Sequence, residues 1–161
     1  MSNLILDRPT WDEYFLKLAD TASLRSSCPS RKVGAVIVNP ETKQVVSLGY
    51  NGAARGAEHC TELCLTREKG KDWDKCNAIH AELNAIIAAA MNGVSTNGAT
   101  IYLTTTPCVF CARHLVNAGI KRVVASSLYL VGDSLNLLAK SGIKVDIFTE
   151  NLRSQNENRY I

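Results

Sequence analysis

A chain of 161 residues, 46% hydrophobic and 20% charged, is long enough to bury roughly 70% of its unfolded surface and reads as one domain spanning residues 1–161. Its formal net charge of +3 is too small to argue by itself for a nucleic-acid partner. The longest apolar run, Ala85 to Met91, is far too short to cross a membrane.

Asp7 and Arg8 interrupt the N-terminus before any apolar run of signal-peptide length. Six cysteines in such a chain point to thiols and metal rather than disulfides, and so to a cytoplasmic protein. Thr10-Trp11-Asp12-Glu13 has the spacing of a capping box. It opens a helix ending near Arg25, with Tyr14, Leu16, Leu18, Ala19 and Ala22 towards a core. Val33 to Val38 is a strand, Asn39 to Thr42 a turn, and Gln44 to Tyr50 a returning strand, which together make a hairpin. Ala53 to Asn77 has neither helical nor strand period and holds three of the cysteines. Something must pin so long an irregular stretch, and metal is the expected agent.

A helix follows from about Ala78 to Met91, with Ile79, Leu83, Ile86, Ile87 and Ala90 on its expected buried face. Thr100 to Thr105 is a third strand. Thr106-Pro107 reads as N-cap and first-turn proline of a helix reaching Ala118, where Gly119 stops it. Arg122 to Ser126 and Ile143 to Phe148 are strands flanking a helix from Ser134 to Ser141, so those last two strands should run parallel. Residues 151–161 read as a loose polar tail. The order predicts an α/β fold of three layers, α/β/α, around a mixed five-stranded sheet.

The chemistry concentrates in His80-Ala81-Glu82 and Pro107-Cys108-Val109-Phe110-Cys111. One His and two Cys fill three tetrahedral positions of Zn²⁺ and leave the fourth for water, the pattern of a catalytic rather than a structural zinc. Glu82 falls beside that position, where a carboxylate can take a proton from the water and deliver it to the substrate. The spacing H-x-E followed by P-C-x-x-C is the signature of zinc nucleobase deaminases. Both clusters fall at helix N-termini, whose partial positive charge favours thiolates. His114 and Phe110, on the second of these helices, read as structural and packing residues.

With these motifs in place, the chain resembles the deoxycytidylate (dCMP) deaminase branch of the cytidine deaminase superfamily over about Cys28 to Phe148. Further matching stretches are Val33-Gly34-Ala35-Val36-Ile37-Val38, Gly49-Tyr50-Asn51-Gly52, His80-Ala81-Glu82-Leu83-Asn84-Ala85-Ile86 and Ala118-Gly119-Ile120-Lys121. The resemblance implies the cytidine deaminase-like fold and zinc-dependent conversion of dCMP to dUMP and ammonia, in the supply of pyrimidine deoxynucleotides for dTMP. It implies Glu82 as proton shuttle, His80, Cys108 and Cys111 as zinc ligands, the Ala81 N–H on the pyrimidine carbonyl, and Asn51 on the deoxyribose. Arg31, Lys32 and Arg55 are candidates for the 5′-phosphate, since guanidinium grips phosphate in a bidentate manner, and Tyr129 is a candidate for the nucleotide pocket. The resemblance further implies a homohexamer with dCTP and dTTP as effectors together with Mg²⁺. Rival readings are a tRNA-adenosine or cytosine deaminase, and a zinc-stabilised binding module without catalysis.

Cys28, Cys60, Cys64 and Cys76 remain once the catalytic pair is assigned, the number that a closed Cys₄ zinc site needs. Some phage and bacterial members of the resembled family carry a second, structural zinc with cysteines matching Cys28 and Cys60. His59 could take the place of Cys64 in such a site.

Overall fold

The structure, a computed structural model, describes residues 8–60, 76–129 and 132–148. Its elements in chain order are α1 (Trp11–Ser23), β1 (Gly34–Val38), β2 (Val45–Tyr50), β3 (Gly52–Ala53), β4 (Ala78–Ile79), α2 (Ala81–Met91), β5 (Thr100–Leu103), α3 (Val109–Asn117), β6 (Arg122–Ala125), α4 (Ser134–Lys140) and β7 (Lys144–Ile147). A mixed five-stranded sheet runs in the order β2-β1-β5-β6-β7. β1 is antiparallel to both β2 and β5, whereas β5, β6 and β7 are mutually parallel.

The continuous apolar strands are explained by burial on both faces of the sheet. Along β1, Ala35 and Ile37 pack with α2, α3 and α4, while Val36 and Val38 pack with Phe15, Leu16 and Ala19 of α1. Ile101 and Leu103 of β5 join the first cluster and Tyr102 the second; Val123, Ala125 and Val124 of β6 divide the same way. The period of two therefore sorts every central strand between two cores, giving the expected three-layer α/β/α arrangement.

The predicted capping box is present: Thr10 N donates to Glu13 Oε2 at 2.7 Å, and Glu13 N donates to Thr10 Oγ1 at 3.3 Å. α1 is tied to the sheet by Arg122, whose guanidinium makes two 2.8 Å bonds to the Asp12 carboxylate and reaches Asp146 at 2.7 Å. The Tyr102 hydroxyl donates to the same Asp12 at 2.8 Å. Tyr14, expected in the core, is 44% exposed because Phe15 takes the inward position instead.

Three further expectations need correction. The second helix starts at Ala81 rather than Ala78, because Ala78 and Ile79 pair as β4 with Ala53 and Gly52 of β3. This short ladder joins the two ends of the irregular insertion, a task the sequence reading gave to metal. Moreover, α2 buries Ala81, Glu82, Ala85 and Ala89 and packs Ile86 partly against the core as expected, but leaves Ile87 39% and Met91 65% exposed, with Ala90 also outward. The reason is close approach: a Cβ added to Gly49 of β2 would lie 2.5 Å from the Ala85 amide nitrogen, so only small side chains fit there. Ser47 Oγ, one pleat away, donates to the Ala85 carbonyl at 2.8 Å. Lastly, α3 begins at Val109 with Cys108 as its N-cap, not at Pro107 with Thr106 as cap.

Antiparallel pairing of β1 brings the segment before it, residues 26–33, to the same sheet edge as the ends of β2, β5 and β6. His80 and Cys108 head the helices that start there. No helix among the described residues is long and apolar enough to cross a membrane. Cys64, Trp73 and the predicted tail lie outside the described residues.

Candidate metal centre

His80 caps α2 in an extended conformation, and its side chain makes no capping bond within the helix. Cys108 holds the equivalent place on α3, where its sulphur accepts from Cys111 N at 3.5 Å. The two helix starts thus face one another, with His80 Nδ1 3.5 Å from Cys108 Sγ and 3.3 Å from Cys111 Sγ. Their donor atoms all lie within 4.8 Å, and among the described residues no other group of three potential ligands does so.

The electrostatics of the triad follow from this crowding. The hydrogen bond from the Cys111 thiol holds Cys108 down to about 4, and Cys111, as donor in that bond, is pushed well above the usual thiol range. His80 is raised, first by its bond to Cys108 and also by the nearby Glu82 carboxylate. Lowering of Cys108 favours its thiolate, the form that ligates a metal. One imidazole nitrogen with two sulphurs is a donor set that suits three of the four positions of Zn²⁺.

Glu82 is 4% exposed, in the first turn of α2. Burial raises its carboxyl above the ordinary carboxylate range, and the Cys111 thiol lies within hydrogen-bonding reach of it. Ala81, the first helical residue, is fully buried, and its N–H belongs to the first-turn amides that have no intrahelical acceptor. Asn84 Nδ2 donates to the Tyr50 carbonyl at 2.8 Å and locks the helix start against the end of β2.

The structure brings some predicted substrate-binding residues together. The Arg31 guanidinium lies over the Tyr129 ring, 5.1 Å from its centroid, and Arg31 Nη2 donates to Thr105 Oγ1 at 3.1 Å. Asn51 is buried and largely committed within the protein: Oδ1 accepts from Val33 N at 2.8 Å and lies 2.7 Å from Ser26 Oγ, while Nδ2 donates to the Arg31 carbonyl at 2.8 Å. Among the described residues no acceptor pairs with its second Nδ2–H. Lys32 and Arg55 are exposed.

Cys28, Cys60 and Cys76 are half-buried, and His59 is exposed. Phe110, expected to pack, is 52% exposed with Arg113 over its ring, and His114 is likewise exposed on α3. Residues the sequence reading missed are Ser26, Asn84, Thr105 and Thr106. All four are small polar residues at element ends, and the run of three threonines ahead of Pro107 was the one local signal for the last two.

A family model described as the cytidine and deoxycytidylate deaminase zinc-binding region matches residues 9–127. Deoxycytidylate deaminase of Schizosaccharomyces pombe is 38% identical over 144 residues, covering 86% of this chain, which spans 44% of that protein's length. The corresponding enzyme of Mycobacterium phage D29 is 41% identical over 128 residues, covering 74% of this chain and 96% of its own. Among solved structures, the dCMP deaminase of cyanophage S-TIM5 in complex with dCMP and dUMP superposes with a TM-score of 0.75 at 29% identity. It covers 87% of this chain and 98% of that one.

Proposed function

The chain belongs to the cytidine and deoxycytidylate deaminase zinc-binding family, and from that premise we propose that it hydrolyses dCMP to dUMP and ammonia. The observation that carries the reading is the convergence of His80, Cys108 and Cys111 within 4.8 Å, with the buried Glu82 two residues after the histidine. Bound there, Zn²⁺ supplies Lewis acidity, lowering the pKa of a water from 15.7 to about 7.

Glu82 moves the protons. It takes one from the attacking water and delivers it to N3 as the C4–O bond forms. It then carries the second to the exocyclic nitrogen, whose bond to C4 breaks as ammonia leaves. Burial keeps bulk water from competing for this carboxylate. The Ala81 N–H, at a helix start, meets the pyrimidine carbonyl. The remaining Nδ2–H of Asn51 is available to the deoxyribose. Tyr129 lines the nucleotide pocket, and Arg31, aided by Lys32 or Arg55, receives the 5′-phosphate.

The single domain, the homohexamer, dCTP and dTTP with Mg²⁺ as effectors, and a second zinc on Cys28, Cys60, Cys64 and Cys76 belong to the same proposal. The second zinc rests on the number of thiols rather than on geometry. Ammonia release from dCMP, deoxycytidine, cytosine and tRNA offered side by side tests the reading. dCMP should be the best substrate. Preference for tRNA or cytosine would replace the substrate, and release from none would favour a non-catalytic module.

A further inference from the structure

Thr104, Thr105 and Thr106 stand immediately ahead of Pro107-Cys108, and each is tied to a loop reaching the same sheet edge. Thr104 Oγ1 accepts from Gly34 N at 3.2 Å, and its carbonyl accepts from Ser127 Oγ at 2.8 Å. Thr105 Oγ1 accepts from Arg31 at 3.1 Å. Thr106 Oγ1 accepts from Tyr129 N at 2.7 Å and donates to the Tyr129 carbonyl at 3.4 Å, while Thr106 N donates to the Ser127 carbonyl at 2.9 Å. The Thr106 hydroxyl is not spent on the helix, since Cys108 supplies the cap of α3. Thr105 and Thr106 are 6% and 1% exposed, so the threonine side of these bonds is shielded from water, while Arg31 itself is exposed.

One hydroxyl thus holds both backbone polar groups of Tyr129, and its neighbour holds the guanidinium lying on the Tyr129 ring. Two residues further along the chain is the metal-facing Cys108. We propose that Thr106, assisted by Thr105, is a positioning residue that fixes the Tyr129–Arg31 pair relative to the metal triad, and so sets the length of substrate that the site accepts. The proposal rests on the reading of that substrate as a nucleoside monophosphate. Tyr129 and Arg31 would hold the non-reacting end of such a molecule, so loosening them weakens binding in ground and transition states alike.

The test compares Thr106→Val, which keeps the shape but removes the hydroxyl, with Thr106→Ser, which keeps the hydroxyl. Amide exchange at Tyr129, zinc content and dCMP kinetics are measured on both. In Thr106→Val, Tyr129 N–H should lose its protection and KM for dCMP should rise about tenfold, with kcat within about twofold and zinc content unchanged. Thr106→Ser should match the wild type in all four. On a Tyr129→Ala background, Thr106→Val should add little to KM.

Unchanged exchange at Tyr129, a fall in kcat without a rise in KM, or a Ser variant as impaired as the Val variant would each overturn the proposal. Exchange is read without substrate. If the wild type instead turns over another compound of the panel, the dCMP reading fails, while exchange together with KM for that compound decides the positioning role.

Discussion

At the scale of single residues, the proposed function asks most of Glu82. Its carboxylate is buried against Cys111 at the start of α2, so a change there can alter proton transfer while leaving the fold and the triad intact. Glu82→Gln should retain zinc and melting temperature but lose at least 10²–10⁴ in kcat, roughly the contribution of a positioned acid–base group. Wild-type turnover with zinc bound would remove the residue from the mechanism. In the proposed function Arg31 acts at the other end of the substrate. Replacing it with Ala should raise KM for dCMP by about tenfold while leaving deoxycytidine turnover near its own level, because only the former has a phosphate to lose. Equal loss on both compounds would point to collapse of the Tyr129 stack instead.

At the scale of elements, the position of α2 depends on what β2 lacks. Gly49 leaves room for the helix backbone, and a methyl group there would press on Ala85 and on Ala81, which lies between His80 and Glu82. Gly49→Ala should cost about 1–3 kcal/mol in urea denaturation and reduce turnover as the helix start moves. On the other face of the sheet, charge adds to the apolar packing of α1. Burial works to raise the Asp12 carboxyl, but its hydrogen bonds from Arg122 and Tyr102 outweigh this and leave it lowered. A carboxylate lowered in the folded state contributes stability that is present above its unfolded pKa, about 3.9, and is lost as pH falls through the folded value. The stability gap between wild type and Asp12→Asn should therefore be full at neutral pH and close below about pH 4. A gap that persists unchanged at pH 2 would deny the ion pair its role.

At the scale of the whole molecule, the metal triad joins the starts of two helices that are separate in sequence, so zinc binding and folding are linked. Removing zinc with a chelator should lower the melting temperature, and returning it should restore the original value. Metal analysis also decides the proposed second site: two zincs per chain, falling to one in Cys76→Ser, support it, and one zinc in the wild type removes it. The β3–β4 ladder already closes the ends of the insertion, so loss of a second zinc should leave the catalytic triad assembled.

The sequence by itself determined the His80–Cys108–Cys111 group that suits a metal, the adjacent carboxylate, the capping box of α1 and the parallel arrangement of β6 and β7. Each rests on local spacing or on a helix between strands, information that neighbouring residues carry. What only the tertiary structure decided was which face of α2 is buried, that two residues on either side of the insertion pair as strands, and that Thr106 serves Tyr129 rather than its own helix. Those outcomes depend on partners distant in sequence: Gly49 under Ala85, Gly52 beside Ile79, and Tyr129 beside Thr106. Periodicity turns the large apolar residues of α2 towards the core, whereas close approach of the helix to Gly49 puts the small ones there. A hydroxyl at a helix start has several acceptors and donors within reach, and the one it takes is set by the loop that folding delivers to it.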